Sequence, residues 1–394
     1  MAKNNYTSEL NKLLLNCMLS DDPMLSMLEW LCDELMEAEV SSQLGAEKSE
    51  HTENRKSHRS GYRPRRLDTR MGTMYLMVPK VRKGGYIPFF VTERKRSEAA
   101  LISVVQEAYV QGVSTRRMEK LAQSLGIESL SASQVSEMTK GLNEQVEQFR
   151  SRDLSEHAYP FLWVDALYEK IRQDGRVISM AILVVCGVNA EGQREVLAIE
   201  PMLEESKETY KQLFASLKER GLSGVQLVVS DAHAGLQSAI RESFPNTSWQ
   251  RCKVHFMRNI MAHIPHKEKE IFASSLKQIW LAPNYEIAHQ RAQTLIETYE
   301  KRFPKATQIL ENGLEDSLQF FQFPEIDKRK ISSTNIMERL NKEVRRRTNV
   351  VGIFPDTESY LRLVTAFLME YSEDWATGRS YIKKEAIQKL TDAA

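Results

Sequence analysis

The run Tyr159-Pro160-Phe161-Leu162-Trp163-Val164-Asp165-Ala166-Leu167-Tyr168 constrains the chain more than any other stretch. Aromatic and β-branched residues behind a proline make it a buried strand. One carboxylate, Asp165, lies inside it. An ionised carboxylate in apolar surroundings is costly unless something positive meets it. Asp165 is therefore either a strand-end residue that caps a turn or pairs with an Arg, or one member of a cation-binding group. Two more acidic residues in matching contexts bear on that choice.

The segments that follow alternate in period. Gln173-Asp174-Gly175 is a turn, Arg176–Val188 a strongly apolar strand, Asn189-Ala190-Glu191-Gly192 a second turn and Glu195–Met202 a third strand, which makes an antiparallel meander. Glu204–Arg220 carries Tyr210, Leu213, Phe214 and Leu217 on one helical face. Val225–Asp231 is a fourth strand ending on a carboxylate, Ala234–Phe244 a helix, Ser248–Val254 a fifth strand and His255–His263 a helix. Periodicity fixes an α/β class. Three antiparallel strands followed by helix–strand–helix–strand is the order of RNase H-like mixed sheets. Residues 267–325 repeat apolar residues at helical steps (Phe272, Leu276, Ile279; Leu310, Leu314, Leu318) and read as an all-α insertion. Ser332-Ser333-Thr334-Asn335 then caps a helix containing Glu338. Leu361, Val364, Phe367, Leu368, Tyr371 and Trp375 make a final amphipathic helix that covers the sheet.

Upstream, charge is divided. Residues 1–50 hold ten acidic residues against three lysines, whereas residues 51–96 hold thirteen Lys and Arg against three acids. Such asymmetry points to a nucleic-acid-facing segment, with a solvated basic loop as the alternative. Residues 7–40 read as two helices, Pro23 opening the second, with an apolar stripe (Leu10 to Leu35) for the protein's own core or for dimerisation. Residues 41–66 read as a polar linker. Its basic end, with Arg59, Arg63, Arg65 and Arg66 around Tyr62, suits a phosphate backbone or a minor groove. Residues 68–92 read as a small β-hairpin: one strand at 71–78, a turn at Gly84-Gly85 and a return strand at 86–91. Residues 97–149 hold short helices broken by Gly112 and Gly126, with Ser114 as a cap and Ser131-Ala132-Ser133-Gln134 as a capping box. This is helix-turn-helix spacing, with Arg116 and Arg117 as candidate DNA contacts, or else an ordinary helical bundle. The expected divisions are 1–50, 51–96, 97–152, 153–265, 266–330 and 331–394.

The four cysteines are scattered without a CxxC pair, as in a reduced, cytosolic protein. The longest apolar run, Ile178 to Val188, is shorter than the roughly 20 residues a membrane helix needs, and no signal pattern opens the chain. A soluble cytoplasmic protein with no membrane partner is the expectation.

In an RNase H-like sheet the strands of Asp165 and Asp231 are neighbours, so their carboxylates meet and repel. A divalent cation relieves that repulsion. Hard oxygen donors favour Mg²⁺ or Mn²⁺, and two such ions roughly 3.5–4 Å apart serve displacement at a phosphodiester. Glu338 is the third candidate ligand. Lys342, Arg345 and Arg346 follow it on the same side of the helix, placed for phosphates, while Glu343 faces elsewhere, solvated or paired to an Arg. The alternative for this helix is a surface helix laced with salt bridges.

Four runs carry a resemblance: Trp163-Val164-Asp165-Ala166-Leu167-Tyr168, Val229-Ser230-Asp231-Ala232-His233-Ala234-Gly235-Leu236, Trp249 to Asn259, and Thr334 to Arg347, continuing into Val350-Val351-Gly352-Ile353-Phe354-Pro355. Together they resemble bacterial insertion-sequence transposases of the Mutator type. That resemblance implies that Asp165, Asp231 and Glu338 are the catalytic DDE metal ligands of a DNA transposase. Such a protein acts on terminal inverted repeats and target DNA as a homodimer. Cys252 and His255 match the family's Cys-x-x-His signature; too few partners lie nearby for zinc, so Cys252 is read as packed and His255 as hydrogen-bonding near the site. His233 either touches DNA or a metal-bound water, or is a helix-start residue facing solvent. The alternatives to a transposase are a catalytically silent DNA-binding regulator and an RNase H-like nuclease acting on RNA–DNA hybrids.

Overall fold

The computed structural model describes residues 12–50, 52, 55–69, 71–82, 84–91, 99–125 and 127–392. It forms two compact units that divide after Gly141. Of the sequence-based expectations, the part of the first helix before residue 12 (Leu10 included) and the break at Gly126 lie outside the described residues.

In the N-terminal unit Asp22 caps α1 (Pro23–Leu44), accepting from the Leu25 N–H at 3.0 Å, and Gly45 ends it in the left-handed region. Strands β1 (Arg59–Thr69) and β2 (Gly72–Val81) pair antiparallel, from Arg59 opposite Val81 to Thr69 opposite Gly72. Cys32 and Met36 of α1 pack on Met74, Leu76 and Val78 of β2. This corrects two expectations. The basic end of the supposed linker is a strand, and the hairpin turns between Thr69 and Gly72 rather than at Gly84-Gly85, with no strand at 86–91. β1 has no apolar alternation of its own. Its ladder to β2 holds it, which no local pattern in an arginine-rich stretch announces. Next, α2 (Ala99–Val110), α3 (Thr115–Ser124) and α4 (Ala132–Thr139) share a core of Leu101, Val105, Met118, Ala122 and Val135. Ser114 caps α3, and Ser131 and Gln134 cap α4 reciprocally, at 3.2 and 2.8 Å.

The C-terminal unit begins with α5 (Leu142–Ser151), so the expected 97–152 region is divided at 141. Arg150 ties α5 to the strand Arg194–Met202, donating to the Ile199 carbonyl at 3.0 Å and pairing with Glu200 at 2.6 Å. Five strands follow: β3 (Phe161–Gln173), β4 (Arg176–Val188), β5 (Arg194–Met202), β6 (Leu227–Ser230) and β7 (Ser248–Arg251). Their order in the sheet is β5-β4-β3-β6-β7, with the meander antiparallel and β3, β6 and β7 parallel. Leu162, Val164, Leu183 and Val185 face α6 (Lys207–Glu219) and α7 (Ala234–Ser243), burying Tyr210, Phe214, Leu236 and Ile240. Between β7 and the Glu338 helix come α8 (Lys253–Met261), α9 (Lys269–Trp280), α10 (Tyr285–Tyr299) and α11 (Pro304–Ser317). A Cβ on Gly313 of α11 would lie 2.3 Å from the Arg251 guanidinium and 2.8 Å from the Phe256 ring, so glycine there lets α11 approach α8.

The chain then forms α12 (Asn335–Val351), α13 (Thr357–Thr377) and α14 (Lys384–Asp392). α13 packs against β3 and β5, and α5 covers its outer side, so it is buried on more than the one face its pattern suggests. Among the described residues, no helix is long and apolar enough to cross a membrane.

Candidate active site

Register brings the two aspartates together. Parallel pairing sets Val164 of β3 opposite Ser230, the last residue of β6, and Asp165 and Asp231 come next in the chain. Asp165 Oδ1 accepts from the Ala166 N–H at 3.0 Å, and its Oδ2 accepts from the Asn341 amide at 2.7 Å. Burial pushes the Asp165 carboxyl up to about 6 and nearby Asp231 adds to this, against the opposing pull of the Ala166 N–H, His255 and Asn341. Asp231, at the open end of β6, accepts from the Ala232 N–H at 2.7 Å.

β7 delivers the next group. The Cys252 N–H donates to the Ser230 carbonyl at 2.8 Å, and α8 starts there, placing His255 in its first turn. His255 stands between two acids, Nδ1 3.8 Å from Asp231 Oδ2 and Nε2 3.5 Å from Glu338 Oε1. The Arg258 guanidinium, one turn on, lies 3.6 Å from the same Glu338 oxygen. The Cys252 contact, with help from Asp231 and Asp165, pushes the His255 imidazole up to about 9. Burial alone would raise the Cys252 thiol, but hydrogen bonds with His255 and Thr334 hold it below its ordinary value. Cys252 Sγ accepts from the Thr334 N–H at 3.3 Å and from its hydroxyl at 3.2 Å. This clamp fixes the residue before α12, and Glu338 follows in the first turn. Cys252→Ala is expected to destabilise the C-terminal unit by about 1–3 kcal/mol, the cost of leaving the buried Thr334 N–H unpaired. Cys252→Ser should cost less, and urea unfolding of the two variants checks the order.

Asp165, Asp231 and Glu338, from three distant parts of the chain, line one cleft of about 750 Å³, with Lys342, Arg345 and Arg346 along its side. Among the described residues, no three His, Cys, Asp or Glu side chains are gathered closely enough to hold a metal ion as they stand. The cleft therefore joins acids on a sheet to a basic helix face, a surface suited to phosphate beside carboxylate oxygens.

The profile of the family described as "Transposase, Mutator family" matches residues 1–378. The chain belongs to the Mutator family of transposases. It is 43% identical over 375 residues to the transposase for insertion sequence element IS1081 of Mycobacterium tuberculosis (strain ATCC 25618 / H37Rv), covering 95% of this chain and 90% of that one. Against the transposase for IS256 in transposon Tn4001 of Staphylococcus aureus it is 41% identical, covering 92% and 94%. Against that for ISRM5 of Rhizobium meliloti (strain 1021) it is 39% identical, covering 93% and 92%. The Drosophila P element transposase strand transfer complex matches with a TM-score of 0.30 at 11% identity over 74% of this chain and 85% of that one, too weak a likeness to inform the fold.

In this Mutator-family chain the basic candidates differ in setting. Lys342, Arg345 and Arg346 line the cleft, Arg346 also pairing with Glu343 at 3.1 Å. Arg116 and Arg117 are exposed on α3. Arg63 is exposed and donates to the Tyr86 carbonyl at 3.1 Å, while Arg65 is half-buried on β1. Arg59 and Arg66 both brace the fold. Arg59 pairs with Glu37 at 3.4 Å and donates to Ser41 at 2.7 Å, fastening β1 to α1. Arg66 pairs with Asp68 at 2.9 Å and donates to the Ser129 carbonyl at 3.0 Å. The acidic helix and the basic arm, read as separate segments, are packed partners. His233 caps α7, its Nδ1 accepting from the Leu236 N–H at 3.4 Å, while also lining the cleft. Two site residues went unmarked in the sequence reading, Asn341 and Arg258. Each had a usable signal: Asn341 lies three residues after Glu338 on its helix, and Arg258 three after His255.

Proposed function

We propose that this Mutator-family transposase binds the terminal inverted repeats of its element and catalyses DNA cleavage and strand transfer at the cleft of Asp165, Asp231 and Glu338. What carries the reading is the meeting of these three acids with the basic face of α12 in one cleft. The strand order β5-β4-β3-β6-β7, followed by a helical insertion, supports an RNase H-like core. The donor set suits hard divalent cations in kind, since all three groups are carboxylates and burial pushes Asp165 up in their absence. Holding an ion requires Glu338 to leave His255 and Arg258 for the aspartates. Mg²⁺ or Mn²⁺, two ions when the site is full, would supply charge neutralisation at the phosphate and acidify the attacking hydroxyl.

The chain's own groups do the rest. Lys342, Arg345 and Arg346 hold phosphates along the cleft, and Asn341 orients Asp165. Attack by water, and later by the freed 3′-hydroxyl, displaces an oxygen in line at phosphorus and needs no covalent protein intermediate. α2, α3 and α4, with Arg116 and Arg117 exposed, read the element ends in helix-turn-helix fashion. Met24, Leu31 and Leu35 leave an exposed apolar row on α1, which supports a homodimer joining two ends.

The test is incubation of the protein with labelled duplex from the DNA flanking its gene, with and without Mg²⁺. Metal-dependent nicking at the ends supports the proposal. Specific binding without nicking points to a silent DNA-binding protein, and cleavage of RNA–DNA hybrids without end preference to a nuclease. Arg345→Ala should weaken DNA binding and lower the salt slope by about one, with metal binding unchanged. An unaltered salt dependence would remove α12 from the DNA path.

A further inference from the structure

Capping α7 uses only half of the His233 ring. Its Nδ1 accepts from the Leu236 N–H at 3.4 Å, which puts the ring's hydrogen on Nε2. No other hydrogen bond ties the ring to the described residues, although the side chain is exposed and lines the acid cleft. The ring is nonetheless held. Tyr210 stands edge-on to it at 5.6 Å, itself buried and anchored through its hydroxyl on Glu205. Gly235 leaves the ring room, since a Cβ there would lie 3.3 Å from its Cε1. A donor held in place on an open cleft, with no acceptor in the protein, points to an acceptor on the substrate.

The residue type argues likewise. Asp22, Ser114, Ser131, Ser206, Asn284 and Asp356 cap other helices of the chain through side-chain oxygens. Asparagine, aspartate and serine are the better caps, so capping alone does not account for a histidine at 233. We propose that His233 is a catalytic residue whose Nε2–H donates to a non-bridging oxygen of the scissile phosphate. The proposal rests on the transposase reading of the cleft. His233 follows Asp231 by two residues, so this donor reaches the phosphate from the start of α7, whereas the cations come from α12. In-line displacement spreads charge over the non-bridging oxygens, and a donor already in place needs no rearrangement as that charge grows. Glu205 lines the same cleft with its Oε2 taken by the Tyr210 hydroxyl, and its charge discourages a phosphate from settling against Tyr210 instead.

The test compares the full-length wild type with His233→Asn and His233→Ala in single-turnover nicking of element-end duplex with Mg²⁺, alongside DNA affinity and melting curves. Asparagine keeps a cap and loses the ring donor, whereas alanine loses both. His233→Asn is expected to nick about 100-fold more slowly at saturating DNA, the scale of one lost transition-state donor, with affinity within about twofold and the melting temperature held. His233→Ala should be as slow and should melt lower. Duplexes carrying sulfur in place of either non-bridging oxygen of the scissile phosphate read the contact itself. The ratio of their nicking rates should change by about fivefold between wild type and His233→Asn, because sulfur is a weak acceptor and one of the two duplexes has already lost the bond. An asparagine variant as fast as the wild type, with only alanine impaired, makes His233 a cap and overturns the proposal. A slow asparagine variant with that ratio unchanged shows that the residue acts through the fold, and also overturns it. No nicking by the wild type defeats the transposase reading and this proposal together. Nicking by the wild type that His233→Asn matches defeats the His233 contact alone.

Discussion

Asp231→Asn is expected to lower Mg²⁺-dependent nicking of element-end DNA by about three orders of magnitude, the scale seen when preorganised charge stabilisation is removed from an active site. The change keeps the size of the side chain and its oxygen, so the bond from the Ala232 N–H can persist. It removes a negative charge at the open end of β6, next in register to Asp165. Two consequences follow for the apo protein. Asp165 loses a like-charged neighbour, and His255 loses one of its two carboxylate contacts. Neither weakens the sheet, because Asp231 is exposed and follows the last residue of the strand. Thermal unfolding should therefore shift little, and DNA affinity should stay within about twofold, since phosphate contacts come from Lys and Arg. Gel analysis of nicked product against bound complex separates the two effects. Nicking that survives in the variant would remove Asp231 from the reaction and leave DNA binding as the function.

How much of this was legible in sequence depended on the kind of signal. The strand Arg176–Val188 and the helices after it announce themselves by period, because they bury one face against a large core. Asp165 and Asp231 stood out because a carboxylate in an apolar run needs an explanation. Glu338 was reached through the company of Lys342, Arg345 and Arg346 on one helix face. β1 was not legible. Its arginines look like a solvated arm, and only the pairing with β2 and the acids of α1 make it a strand. For the same reason the ion pairs of Arg59 with Glu37 and of Arg66 with Asp68 were not legible. The division at Gly141 was missed because α5 looks like its helical neighbours. What assigns it to the C-terminal unit is Arg150 reaching β5, a tertiary contact. Cys252 and His255 were visible as a spaced pair, but the roles of clamp and bridge depend on Thr334 and Glu338 arriving from about 80 residues further along the chain.

Asn341→Ala should lower the nicking rate about 10- to 100-fold, the range for removing a group that orients a metal ligand, without loss of stability. Asn341 touches no scissile group. Its amide donates to Asp165 Oδ2 at 2.7 Å, while its own Oδ1 is buried without a partner. The fold thus bears the desolvation cost of one amide oxygen to keep one donor aimed at Asp165. Alanine removes both at once and favours the helix, so the melting temperature should hold or rise. The carboxyl of Asp165, already raised by burial, would lose a bond that favours its charged form. Loss of rate should be greatest at low Mg²⁺ and partly recovered at high Mg²⁺, whereas a residue acting only on packing would reduce the rate at every concentration alike. Asn341→Asp should do worse than alanine, because it sets a second carboxylate against Asp165 with no donor between them. Single-turnover nicking across a Mg²⁺ series, with melting curves for all three proteins, gives the comparison. An alanine variant as fast as the parent would show that Asp165 is oriented by the strand alone. An unstable one would make Asn341 a packing residue of α12, and the link from that helix to the first aspartate would have to be sought elsewhere.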